Sequence, residues 1–146
     1  MAKGYPDFFG YSFFPTYGDI ITSSFDDTIS SVGALNLVSL SMKGQIFSGA
    51  VHLIFANIPN VSFLQLLIDG QQNFTIDPAT IFTKYRYADI DLPLSVVSWR
   101  KTDLEMVVKI KEGIPFNSTV LLRYVISSGN YQIDIDGQLS YYQVRS

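Results

Sequence analysis

The sequence predicts an all-β protein: an antiparallel β-sandwich, jelly-roll-like, with an extended aromatic-rich N-terminal arm. Three observations predict it. Short apolar or alternating runs recur roughly every 8–15 residues with turn residues between them, as in sandwiches and barrels. Only one segment carries a helix start signal. The first 25 residues hold eight aromatic side chains (Tyr5, Phe8, Phe9, Tyr11, Phe13, Phe14, Tyr17 and Phe25) among Gly4, Pro6, Gly10, Pro15 and Gly18, which forbid a sustained helix. A disordered tail is poor in aromatics, so this segment is expected to bury its rings on protein. The expected division is an arm over residues 1–26 and a sandwich domain over residues 27–146.

From residue 27 the elements follow in order. Residues 28–41 read as a strand pair, or one strand kinked at Gly33. There the period of two slips between Leu37 and Leu40, the mark of a bulge or bend. Lys43-Gly44 turns the chain into a strand over 45–57, with a bulge expected at Ser48-Gly49. Asn57-Ile58-Pro59-Asn60 is turn chemistry. Residues 61–69 form a nearly continuous apolar strand ended by Asp69-Gly70, a strong hairpin dipeptide, and 71–76 return. Residues 77–86 are the one helix candidate, with Asp77 as N-cap and Pro78 in the first helical position. A strand over 88–98 is interrupted at Pro93, which places it near an edge. Met106, Val108 and Ile110 alternate with Val107, Lys109 and Lys111, a half-exposed strand over 103–111. Gly113-Ile114-Pro115 turns into a long buried strand over 116–127. After Ser128-Gly129-Asn130, residues 131–135 and 138–144 read as a final hairpin across Asp136-Gly137.

Composition narrows the function. The chain has 146 residues, the size of one domain. Charged residues are 16% and apolar residues 47%, against roughly 25% charged in ordinary soluble domains. Self-association is therefore expected, most simply as a trimer. The ten basic residues are scattered and net charge is −3, so the concentrated positive footprint of a nucleic-acid binder is missing. No run of 18 apolar residues suggests a membrane span. The opening Met-Ala-Lys leads into Gly4-Tyr5-Pro6-Asp7 without a secretory apolar stretch. The chain thus reads as a complete product made in the cytosol, and its three glycosylation-type sequons as chance. Eleven of the thirteen acids are Asp, a residue of turns and strand ends. With no cysteine, thiolate metal sites and disulfides do not arise.

Candidate chemistry is thin. His52 is the sole histidine, which removes the usual zinc clusters. No Gly-x-Ser-x-Gly elbow accompanies it, so its expected role is structural or interfacial. Ile68-Asp69-Gly70 and Ile135-Asp136-Gly137 invite comparison with paired catalytic aspartates, yet neither has the hydroxyl residue that usually follows, and turns are the simpler reading. Asp89/Asp91 and Asp134/Asp136 could each share a strand face and, with Asp77, approach a Ca²⁺ ligand set; solvated strand edges explain them as well. A carboxylate pair for glycoside hydrolysis is no more than chance offers. No catalytic residue, cofactor site or metal site is assigned. The partner-binding residues are expected to be Tyr5, Phe8, Phe9, Tyr11, Phe13, Phe14 and Tyr17, because aromatics dominate interface cores.

Two stretches carry a resemblance. GYPDFFGYSFFPTYG at 4–18 resembles the opening of small virion-associated proteins of tailed bacteriophages, where an aromatic-Phe-Gly-x-x-x-Phe-Pro-x-Tyr-Gly run precedes a β-sandwich. IPFNSTVLLRYVI at 114–126, with GQLSYYQV at 137–144, resembles their closing strands. The similarity spans about 40 of the 146 residues and includes no catalytic motif. It implies a non-enzymatic virion protein: a capsid decoration (cementing) protein or a neck or tail component, in a trimeric or other symmetric assembly. Its partners would be its own copies and a major capsid or other virion protein, with the arm clasping a neighbour. The alternative is a carbohydrate- or receptor-binding sandwich of a phage fibre or lectin-like protein, which needs its aromatics on ordered loops.

Overall fold

The computed structural model describes residues 16–57, 61–84, 93–129 and 132–145. Ten strands and one short helix follow in order: β1 (Thr16–Ile29), β2 (Gly33–Ser41), β3 (Gly44–Phe55), β4 (Val61–Ile68), β5 (Gln72–Ile76), α1 (Pro78–Lys84), β6 (Leu94–Arg100), β7 (Glu105–Ile110), β8 (Ile114–Phe116), β9 (Thr119–Ser128) and β10 (Ile133–Arg145). They form two sheets, β1-β10-β3-β7-β6 with β8 on β3, and β2-β9-β4-β5. We call these sheet A and sheet B.

The pairings are nested. Innermost is the β4–β5 hairpin, then β3–β7, β2–β9 and outermost β1–β10, all antiparallel. This is one long ribbon rolled into two facing sheets, the jelly roll that the sequence predicts. The core lies between the sheets, because alternate residues of every strand face inward. Val51, Leu53, Met106, Val108, Ile110, Ile133, Ile135 and Leu139 from sheet A meet Leu64, Leu66, Val120, Leu122 and Tyr124 from sheet B, all fully buried. The Tyr124 hydroxyl is satisfied in that core by Ser62 Oγ at 2.7 Å.

Helix α1 closes one end. Asp77 caps it, accepting from Ala79 N–H and Thr80 Oγ1–H, each at 3.0 Å. The helix exists to deliver Ile81 and Phe82 to the core. Phe82 is fully buried, edge-on to Phe55 at 5.5 Å and to Trp99 at 5.9 Å. The irregularity expected in β2 is present, with the register shifting between Asn36 and Val38 around Leu37; the bulge expected at Ser48-Gly49 lies one residue earlier, at Phe47, while Ser48 and Gly49 pair with Ser140 and Leu139.

Three expectations change. Residues 116–127 are not one strand: β8 stays on sheet A, β9 joins sheet B, and the chain crosses at Asn117-Ser118. The 26/27 division falls inside β1, whose Phe25 and Ile29 are buried in the core. Residues 16–26 are therefore laid into sheet A along β10. Of the strand expected over 88–98, residues 88–92 lie outside the described residues, and β6 begins at Leu94.

The third correction concerns Asp136-Gly137, which is not a turn. Strand β10 runs unbroken from Ile133 to Arg145 between β1 and β3. Gly137 is there because a Cβ would stand 2.1 Å from the Ala50 carbonyl oxygen and 3.0 Å from the Phe25 ring, at φ +155°. The dipeptide signals close backbone approach, not reversal. Asp69-Gly70 is the true turn, with φ of +56° and +68° and Gln71 N–H donating to the Ile68 carbonyl at 3.1 Å, as a type I′ turn requires. Gly137→Ala should therefore cost about 3–5 kcal/mol, combining backbone strain with a clash. Gly70→Ala, where a Cβ meets open space, should cost about 1 kcal/mol from φ alone. Urea unfolding of both variants checks the contrast; equal losses would contradict the close-approach reading.

Candidate functional site

The outward faces differ in their polar groups, although sheet A also exposes Ile20, Ile21, Phe47, Ile54 and Val97. On the outward face of sheet A, Asp26, Asp136 and His52 lie opposite one another on β1, β10 and β3; across β7 His52 faces Val107, and Glu105, one diagonal step along, faces Arg100 on β6. His52 Nδ1 lies 2.9 Å from Asp136 Oδ1, and Nε2 lies 2.9 Å from Glu105 Oε2. Arg100 then donates through Nη2 to Glu105 Oε1 and pairs through Nε with Asp103 Oδ2 at 3.3 Å. Asp134, on the same face as Asp136, accepts from Thr28 Oγ1–H at 2.8 Å.

Partial burial of His52 works against its charge, but the hydrogen bonds to Glu105 and Asp136 outweigh it and raise its pKa above 6.5. Glu105 is held below the ordinary carboxylate range, first by Arg100 and then by His52. Both ring nitrogens of His52 are engaged by carboxylates. In its charged form neither nitrogen has a lone pair to take a proton from a hydroxyl, the step nucleophilic catalysis asks of a histidine.

The outward face of sheet B is apolar along its two central strands, β9 and β4, and polar on its edge strands. Leu64, Leu66, Val120, Leu122 and Tyr124 face the core, so Phe63, Leu67, Leu121 and Val125 project outward from the two central strands. They meet as the cross-strand pairs Phe63–Val125 and Leu67–Leu121, half-buried, with Val61 exposed beside them. Between the two pairs runs one polar row, in which Arg123 Nε–H donates to Gln65 Oε1 and Gln65 Nε2–H donates to Asn73 Oδ1 at 2.9 Å. An antiparallel sheet with a solvated face normally alternates apolar-in and polar-out. Here the sequence signal was the nearly unbroken apolar run of β4, and the surface it makes is a candidate for contact with another protein.

Asp69 has a second role that the sequence does not reveal. Its carboxylate accepts from the backbone N–H of Asn117 (2.9 and 3.0 Å), Ser118 (2.7 Å) and Thr119 (3.2 Å), and from Ser118 Oγ–H at 3.2 Å. Its own N–H donates to the Thr119 carbonyl at 2.8 Å. The β4–β5 turn thus holds the crossing from β8 to β9. These donors, Ser118 and then Asn117 foremost, lower the Asp69 pKa.

The other sequence candidates separate. Asp69 and Asp136 belong to different sheets and are engaged by different partners, so they form no catalytic pair. Asp89 and Asp91 lie outside the described residues, and Asp77 is a helix cap. Among the described residues, no group of three or more His, Asp or Glu side chains could hold a metal ion. Tyr5, Phe8, Phe9, Tyr11, Phe13 and Phe14 lie outside the described residues; Tyr17 pairs with Val144 in the β1–β10 ladder. Glu105, Arg100 and the outward set on sheet B were not singled out from sequence.

No family model matches the sequence, and no curated protein matches it. Among solved structures the fold is similar to a chain of the acidic stable capsid structure of Helicobacter pylori bacteriophage KHP30. The TM-score is 0.50 at 11% identity, covering 90% of this chain and 94% of that one. It is also similar to a chain of the cyanophage Pam1 capsid asymmetric unit, at a TM-score of 0.44 and 12% identity, covering 92% and 89%. At such identities the likeness is one of fold.

The Asp69 cluster makes a prediction. Asp69→Asn keeps the Asn-Gly turn preference but loses the charge and one acceptor oxygen. It should lower the melting temperature at neutral pH. The Asp69 contribution is complete above its unfolded-state pKa, near the ordinary 3.8, and is lost as pH falls through its lower folded value. The gap between wild type and variant should therefore close on acidification below that point. Thermal melts from pH 7 to pH 2.5 test this, and a gap that stays constant would exclude the charged clamp.

Proposed function

We propose that this chain is a structural component of a bacteriophage virion that works by binding neighbouring protein subunits and not by catalysis. The observation that carries the reading is the end-to-end likeness of its fold to a chain of a phage capsid structure, which leaves little of either chain unmatched. The finer reading is a capsid decoration protein, self-associating as a trimer, with residues 1–15 reaching a neighbouring subunit. Two features support it: six aromatic residues between Tyr5 and Phe14, and the apolar pairs on the outward side of β9 and β4.

The receptor-binding alternative has one observation behind it. A groove of about 320 Å³ is lined by Ile68, Asp69, Gln71, Gln72, Pro115 and Asn117. It offers carboxamides but no aromatic platform for a sugar ring, and the Asp69 carboxylate is already committed to the backbone. The assembly reading is therefore preferred.

Sedimentation equilibrium at micromolar concentration tests the proposal, on the full chain and on residues 16–146. The full chain should form a species near three times its 16.4 kDa mass. The shortened chain, which keeps all of β1, should melt cooperatively but associate more weakly. A full chain that remains at 16.4 kDa throughout would remove the trimer. A shortened chain that associates equally well would move the interface from the arm to the body.

A further inference from the structure

We propose that His52, Asp136 and Glu105 form a proton-dependent clasp on the outer face of sheet A, fastening β10, β3 and β7 when the imidazole is charged and releasing one carboxylate when it is neutral.

The argument is one of hydrogen-bond supply. Ionised carboxylates only accept, and a neutral imidazole has a single N–H. With both ring nitrogens 2.9 Å from carboxylate oxygens, only the imidazolium satisfies both contacts. Remove its proton and one nitrogen lone pair faces an oxygen lone pair at the same distance. That contact must open.

The surroundings explain why the charged form is favoured. On β10, Asp136 bonds the ring and Asp134 shares its face. On β1, Asp26 lies directly opposite Asp136, a like-charge cross-strand pair that is unfavourable by itself. On β7, Glu105 bonds the ring and Lys109 lies further along the same face. On β6 and the following turn, Arg100 takes the other oxygen of Glu105 and Asp103 takes Arg100, with Lys101 beside them. Acids outnumber cations here, so the His52 proton supplies the counter-charge that lets Asp136 and Glu105 sit near the middle of the face.

The cluster is reachable by water: the side chains of His52, Asp136 and Glu105 are 32%, 53% and 27% exposed. Protons therefore exchange freely, while salt screening keeps the gain modest. The direction follows from linkage. A histidine whose folded pKa is raised contributes fully below its unfolded value, near 6.5, and its contribution fades as pH rises through the folded value. The clasp is closed in mild acid and opens in mild alkali.

A single histidine makes the test clean. Two-dimensional ¹H–¹⁵N spectra of the full chain report both ring nitrogens directly, and thermal melts from pH 5.5 to pH 8.5 report the coupling. Wild type should titrate above 6.5, with both nitrogens protonated below that pKa. Its melting temperature should fall across the titration, and His52→Gln should lack that fall. Asp136→Asn and Glu105→Gln should each lower the His52 pKa while leaving the chain folded. A His52 pKa at or below 6.5, or the same pH slope in His52→Gln as in wild type, overturns the proposal. Neither outcome bears on oligomeric state, so this test and that of the virion reading fail independently.

Discussion

The structure depends on nested pairing about a single tight turn. Outward from the β4–β5 hairpin, the ladders β3–β7, β2–β9 and β1–β10 join strands progressively further apart in sequence, from Ile68 with Gln72 at the turn to Thr16 with Arg145 at the rim. Closing such long loops costs entropy before any contact returns it, so the fold is expected to form slowly and from the inside outward. Asp69 occupies the innermost point of this arrangement. Its backbone turns the chain, and its side chain holds the crossing by which β9 leaves sheet A for sheet B. One residue thus couples the local hairpin to the first long-range decision in the topology.

At the opposite extreme lies β10, the last strand to emerge and a central strand of sheet A. A strand inserted between two others must match both in register, and Gly137 shows how tightly that match is drawn against the carbonyl of Ala50. The backbone approach and the ionic row share the same place: Asp136, beside Gly137, carries the acid that His52 meets from β3. The two polar clusters then respond to pH in opposite senses. Asp69 supports the fold above the ordinary carboxylate range, and His52 supports it below the ordinary imidazole range. Both are fully engaged only in the weakly acidic window between them, an arrangement that follows from the signs of the two shifts.

Much of the fold is legible in the sequence because it is written locally. The Asp69-Gly70 turn, the Asp77-Pro78 helix start and the slip of period at Leu37 are each decided by a few adjacent residues. What misleads is a residue whose reason lies in a distant strand. Gly137 follows an Asp and so mimics a turn, but its cause is Ala50, far away in sequence. Residues 116–127 look like one apolar strand because nothing local marks the change of sheet; the mark is Asp69. The His52 cluster was invisible for the same reason. Its partners come from β7 and β10, and only the register of two ladders makes them neighbours. The composition of residues 1–26 suggested a separate arm, yet Phe25 and Ile29 show that an aromatic-rich segment can end as an integral strand.

A jelly roll alone says little about function, since one fold carries many activities. The argument must come from the surfaces the fold leaves over. Sheet A carries across its outer face a chain of ion pairs that ties its own strands together and engages the one histidine, beside the exposed Phe47 and Ile54 of β3. Sheet B spends its outer face on Phe63, Leu67, Leu121 and Val125, side chains that gain nothing from water and add nothing to the core. Apolar pairs of that kind, interrupted only by the hydrogen-bonded row Arg123–Gln65–Asn73, have the composition of an interface centre, where a satisfied polar group fixes orientation and the apolar area provides the drive.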